Sequence, residues 1–125
     1  MLADLSIIPV GGSAHTSGIL ADVLELIHTS GIAYQLTPTT TCLEGTWEEI
    51  VEVTQRCHQL VRRKHAHVVT MLRIEDDASA GYSKLTRNLE SVKEKAGRPL
   101  ATEPRDGSAG VPLSAKIPDN RGSMP

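Results

Sequence analysis

Apolar and polar positions change period several times along the chain, and each change marks an element. Leu2–Val10 (LADLSIIPV) reads as a strand that ends at Pro9 and the Gly11-Gly12 turn. From Ser17 to Ser30 the apolar residues Ile19, Leu20, Val23, Leu24, Leu26 and Ile27 recur at helical spacing, and Gly31 supplies a helix stop. Ile32–Thr37 and Thr39–Glu44 are two short extended runs. Pro38 between them lacks a backbone donor and belongs at a turn or edge. Thr46-Trp47-Glu48-Glu49 is a capping box, with Thr46 as N-cap and Glu49 reaching back to it. The helix it opens carries an apolar stripe of Ile50, Val51, Thr54, Cys57 and Val61, and it ends on Arg62, Arg63 and Lys64, which complement its negative pole. His67–Glu75 (HVVTMLRIE) is a fourth strand. Tyr82, Leu85, Leu89, Val92 and Ala96 then step by three or four to give a third helix, closed by Gly97.

The order is β-α-β-β-α-β-α, an α+β sandwich. Its first six elements form the βαββαβ unit of ferredoxin-like folds, followed by an additional C-terminal helix. Right-handed crossovers place the first two helices on one face of a four-stranded sheet. The opposite face needs a cover from the third helix, a second subunit, or both. Residues 98–125 differ in composition: they hold Pro99, Pro104, Pro112, Pro118 and Pro125 and show little apolar periodicity. Residues 1–97 are therefore read as the domain and 98–125 as a flexible tail that buries too little to offset its ordering entropy.

Composition narrows the function. The aromatic set is Tyr34, Trp47 and Tyr82, without phenylalanine, so the core rests on Leu, Ile and Val, and no aromatic platform exists for stacked bases. A net charge of −2 supplies no basic field for nucleic acid or an anionic membrane. No apolar run is long enough to span a bilayer, and Asp4 and Pro9 interrupt any signal-like stretch near the start. Cys42 and Cys57 are too few for a disulfide framework and read as reduced thiols, which points to the cytoplasm.

Candidate chemistry is sparse. Strand alternation puts Thr40, Cys42 and Glu44 on one face and Thr39, Thr41 and Leu43 on the other. Glu44, just before Gly45, serves either as a solvated turn carboxylate or as a ligand acceptor. Arg73 interrupts an apolar strand and shares the open sheet face with Val69, Met71 and Glu75. Antiparallel pairing of the first and fourth strands brings it opposite Asp4, where an ion pair is expected. His65, His67 and the Cys57-His58 pair match no zinc spacing. Adjacent helix positions also diverge by about 100°, so Cys57 and His58 do not form a nucleophile pair. Gly11-Gly12 lacks the lysine and hydroxyl residue of a phosphate loop. An enzyme of oxygenase or isomerase type stays open on fold grounds, although no general base with a partner converges. A metal-sensing or regulatory oligomer is the other alternative.

Three segments, in order and correctly separated, carry a resemblance: Ser6-Ile7-Ile8-Pro9-Val10-Gly11, then Tyr34-Gln35-Leu36-Thr37-Pro38-Thr39-Thr40-Thr41-Cys42-Leu43-Glu44-Gly45, then Val68-Val69-Thr70-Met71-Leu72-Arg73-Ile74-Glu75-Asp76. Together they resemble the small thiamine-binding family long catalogued as an uncharacterised protein family. The resemblance implies a cytosolic homodimer or homotetramer that binds thiamine or its hydroxymethylpyrimidine moiety without chemistry, with no metal and no other cofactor. It points to Ser6, Pro9 and Gly11 in the first segment, to Tyr34, Thr40, Thr41 and Glu44 in the second, and to Arg73 in the third as ligand-binding residues. An aminopyrimidine needs an acceptor, a donor and an apolar slot, which these groups can supply. The chain departs from the family in carrying Thr39-Thr40-Thr41 where members usually have Met-Gly-Thr. Thr40 then places a Cβ and a hydroxyl where a ligand would approach.

Overall fold

The computed structural model describes residues 1–11, 17–79 and 84–103. Its elements are β1 (Leu2–Pro9), α1 (Ser17–Ser30), β2 (Ala33–Leu36), β3 (Thr41–Glu44), α2 (Trp47–Lys64), β4 (Val68–Glu75) and α3 (Lys84–Ala96). The strands form one four-stranded antiparallel sheet in the order β2-β3-β1-β4, as expected for a ferredoxin-like unit. α1 begins and ends where the periodicity put it. Gly31, at φ 81°, turns the chain out of it through a backbone region that a Cβ disfavours.

α2 starts as predicted. The Thr46 side chain accepts from the Glu49 N–H at 3.2 Å, and a Glu49 carboxylate oxygen accepts from the Thr46 N–H at 3.2 Å. The buried stripe omits two expected positions, Val51 and the half-buried Thr54, and adds Val53. It runs Ile50, Val53, Cys57 and Val61, while Val51 is 39% exposed. Steps of three and four along one face select Val53, and Val51, one residue from Ile50, lies about 100° away.

These side chains meet Val23 and Ile27 of α1, Ile32, and Ala3, Leu5 and Leu43 from the covered face of the sheet. Ile27, Leu43, Ile50, Val61 and Cys57 are fully buried. Each large aliphatic side chain among them contributes about 1.5–3 kcal/mol by leaving water. Cys57 belongs to this core, as its spacing suggested, and burial pushes its thiol up to about 11.

The opposite face of the sheet is open. β4 alternates half-buried and exposed residues along its whole length, and Ile8, Val69 and Met71 are 47%, 39% and 53% exposed. α3 packs against β3 but leaves that patch uncovered, and its own Leu89 and Val92 are exposed. The first stretch of the 98–125 tail, through Glu103, is described, with Thr102 accepting from Lys93 Nζ at 3.1 Å. The remainder of the predicted tail lies outside the described residues. No described helix is long and apolar enough to cross a membrane.

Candidate functional site

The two central strands differ in length, and that difference builds a cleft. β1 has eight residues and pairs with β4 throughout, whereas β3 has four and pairs with β1 only from Leu2↔Glu44 to Leu5↔Thr41. Beyond Leu5 the β3 side of β1 has no neighbouring strand. Into the resulting notch opens a cavity of about 240 Å³, walled by Leu5–Pro9 of β1, by Ile19, Leu20, Val23 and Ile27 of α1, and by Leu36–Thr41. Alternation along β1 sends Leu5 and Ile7 toward the helices and Ser6 and Ile8 toward the open face, so the notch is lined from both sides of the sheet.

The β2–β3 connection is held away from β1 by its own hydrogen bonds. The Thr37 N–H donates to the Thr40 carbonyl at 2.9 Å. The Thr37 hydroxyl donates to the same carbonyl at 2.7 Å and accepts from the Thr40 N–H at 3.1 Å. Its one hydrogen is thereby committed, so in the 3.3 Å pair of hydroxyls Thr40 is the donor. Pro38, with its fixed φ, stiffens the same turn. The expected third strand from Thr39 is therefore shorter and begins at Thr41. Thr37 was not singled out from the sequence. The Thr-Pro-Thr-Thr run was its only signal, and it reads equally well as strand composition.

Of the residues that sequence pointed to, the cleft gathers Ser6, Pro9, Thr40 and Thr41. Thr41 is a buried polar residue at its floor, 5% exposed. The other four lie elsewhere. Gly11 is exposed, with φ 77°, in the turn that follows β1. Tyr34 stands opposite Leu43 in the register and hence on the covered face, where its hydroxyl meets Nδ1 of His28 at 2.8 Å. Glu44 is at the far end of β3, about 10 Å along the strand from Thr41, and alternation turns it to the open face.

Arg73 is on the open face too. It donates from Nε at 3.0 Å and from a terminal nitrogen at 2.8 Å to one carboxylate oxygen of Asp4, the expected ion pair. The other carboxylate oxygen accepts from the Cys42 thiol at 3.5 Å. Burial first, and then the Asp4 carboxylate, raise the Cys42 pKa, so this thiol is poorly suited to act as a nucleophile.

No titratable side chain lines the cleft among the described residues, and no group of three or more metal-capable side chains occurs among them. What the cleft offers is aliphatic surface, a set of hydroxyls and main-chain polar groups. It can hold a small, largely apolar molecule and orient it by hydrogen bonds.

Comparison with known proteins bears on the same segments. A family model described as "Thiamine-binding protein" matches residues 3–93. The UPF0045 protein YqgV of Bacillus subtilis (strain 168) is 34% identical over 99 residues, covering 74% of this chain and 94% of that relative. Among solved structures, the hypothetical protein MJ1052 from Methanocaldococcus jannascii superposes with a TM-score of 0.68 at 26% identity, over 74% of this chain and 95% of that one. A protein from Thermotoga maritima, provisionally named for thiamine biosynthesis or salvage, shares the fold at a TM-score of 0.58 and 19% identity, over 77% of this chain and 94% of its own.

Proposed function

The chain belongs to the thiamine-binding protein family, and from that premise we propose that it binds thiamine or the hydroxymethylpyrimidine half of thiamine, unchanged, in the cleft between β1, α1 and the Thr37–Thr40 turn. The observation that carries this reading is the cleft itself. It brings the proline-bearing end of the first family-like segment against the threonine run of the second, around about 240 Å³ of mostly aliphatic space. That volume lies below the ~300–1,000 Å³ typical of sites for drug-sized ligands, which suits one heteroaromatic ring fully enclosed with the rest of a larger molecule outside. Binding without bond making fits a wall that, among the described residues, consists of hydroxyls and aliphatic groups with no proton donor or acceptor of suitable pKa for general acid–base work.

The working form is a cytosolic homodimer or homotetramer. Support comes from the open sheet face, where Ile8, Val69 and Met71 form an apolar patch. Covering it against a second copy stabilises by about 25 cal/mol for each Å² removed from water. A two-fold arrangement presents the same patch on both partners.

Calorimetry with thiamine and with hydroxymethylpyrimidine tests the ligand. A thermal-shift panel that adds nucleotides and divalent metals tests the enzymatic and metal-sensing alternatives. At a hundredfold excess over Kd a true ligand stabilises by about 2.7 kcal/mol. No heat with either compound removes the thiamine reading. Light scattering at micromolar concentration tests the assembly, and a monomeric mass removes that part.

A further inference from the structure

The notch beside β1 exposes a definite set of main-chain groups, and antiparallel geometry says which. In such a ladder successive residues direct their N–H and C=O to opposite sides. The Val10 N–H donates to the His67 carbonyl at 2.8 Å, so the even-numbered residues of β1 address the β4 side. At the other end Met1 exchanges two bonds with Gly45, its amino group donating to the Gly45 carbonyl at 2.7 Å and its carbonyl accepting from the Gly45 N–H at 3.0 Å. The odd-numbered residues therefore address β3. Ala3 and Leu5 stand opposite Leu43 and Thr41 and are paired. Ile7 is next in that series. Its counterpart would be Thr39, but Thr39 is drawn into the turn that Thr37 and Thr40 lock. Among the described residues, no hydrogen bond reaches the Ile7 N–H or C=O from this side. Pro9 follows in the same orientation and has a carbonyl but no N–H.

We propose that the cleft reads its ligand through this interrupted strand edge, with the Ile7 N–H as donor and the Ile7 and Pro9 carbonyls as acceptors, and so selects a small planar ring bearing a hydrogen-bond donor beside an acceptor. An aminopyrimidine has that edge: its ring nitrogen accepts from Ile7 N–H and its exocyclic amine donates to a carbonyl. The ring takes the place of the strand residue that β3 does not supply. The hydroxyls of Ser6 and Thr39 flank the contact, and Ile19 and Leu20 supply apolar wall. Pro9 restricts the edge to one donor, which discriminates against rings that present two acceptors side by side. This inference rests on the proposed ligand class and deepens it.

Amide hydrogen exchange by NMR on the full chain tests it directly. In the free protein the Ile7 amide exchanges faster than those of Ser6 and Ile8, which face β4. Saturation with hydroxymethylpyrimidine slows Ile7 by at least tenfold and shifts its resonance. An analogue with a methyl group in place of the amine binds about threefold to tenfold more weakly, the worth of one hydrogen bond. If hydroxymethylpyrimidine binds and the Ile7 amide does not change, the strand-edge contact is wrong and the ligand assignment stands. If it does not bind, 2-aminopyridine and 2-pyridone, which carry the same edge, become the probes. Protection of Ile7 by either upholds the contact and removes the thiamine assignment, and no effect of any probe overturns the contact.

Discussion

Thr37→Val is the substitution that asks most of this structure. Valine keeps the β-branched shape and suits the same backbone, so what is removed is the hydroxyl. Three hydrogen bonds go with it: the 2.7 Å bond to the Thr40 carbonyl, the 3.1 Å bond from the Thr40 N–H, and the 3.3 Å bond from the Thr40 hydroxyl, which water can replace. The 2.9 Å bond from the Thr37 N–H to that carbonyl survives. The carbonyl therefore keeps a partner, and the Thr40 N–H loses its own in a half-buried position. At about 0.5–1.5 kcal/mol for each of the two shorter bonds, the loss is about 1–3 kcal/mol. For a domain of this size that lowers Tm by roughly 4–24 °C, with far-UV circular dichroism unchanged below the transition. The same loosening acts on the cleft, since the turn forms one of its walls. Affinity for hydroxymethylpyrimidine should fall about fivefold or more, because binding must now order the turn. Thr37→Ser restores the hydroxyl and should recover most of both effects. A Thr37→Val protein with native Tm and native affinity would refute the claim that this side chain holds the cleft open.

Three other expectations are more easily stated. Glu44→Gln should change affinity by less than twofold, since Glu44 sits at the other end of β3 and does not line the cleft; a tenfold loss by calorimetry would move the ligand toward that end of the sheet. Thr46→Ala removes the capping box of α2 and should cost about 0.5–2 kcal/mol in urea denaturation, with ligand affinity unaffected. Cys57 titrates near 9.0 when unfolded and at about 11 in the core, so the folded state holds its proton longer, and stability falls as pH rises from about 9 to about 11. Urea titrations across that range should show a loss of about 1–3 kcal/mol that Cys57→Ala lacks.

The elements and their order were legible because each was specified locally. The Thr46–Glu49 box, Gly31 and the helical spacing of α1 act within a few residues, and the structure reproduces them. The Asp4–Arg73 pair was legible as well, since the fold order fixes which strands neighbour each other and alternation fixes the face. Val51 was assigned inward because the helix reads as apolar on both adjacent positions, and only packing decides between them. Half of the residues that sequence pointed to line the cleft. Ser6, Pro9, Thr40 and Thr41 are local markers of the two segments that meet, whereas Gly11, Tyr34 and Glu44 belong to the same segments but face or lie elsewhere, and Arg73 belongs to the third segment, away from the cleft. Motif membership gives position along the chain. It does not give the face, and a shift of one residue along a strand reverses it.

Strand length was the less legible quantity, and here it decides the site. The run from Thr39 to Glu44 is β-branched enough to continue as a strand beside all of β1. Had it done so, Thr39 would pair with Ile7 and the notch would be filled by backbone. What prevents this is a competition between two ways of satisfying the Thr40 main chain: a longer sheet ladder, or a turn closed by Thr37. The turn wins because one hydroxyl serves both the Thr40 N–H and its carbonyl at short range, with Pro38 already restricting the chain between them. The same competition explains how a chain with Thr40 in place of the usual glycine can retain the cleft. The threonine hydroxyl donates back to Thr37 at 3.3 Å instead of projecting free into the space, so the added side chain becomes part of the wall. Thr40→Gly would then enlarge the cavity while weakening the turn, and the sign of its effect on affinity measures which of the two matters more. Tighter binding means that Thr40 crowds the ring, and weaker binding means that the ordered turn is the larger contribution.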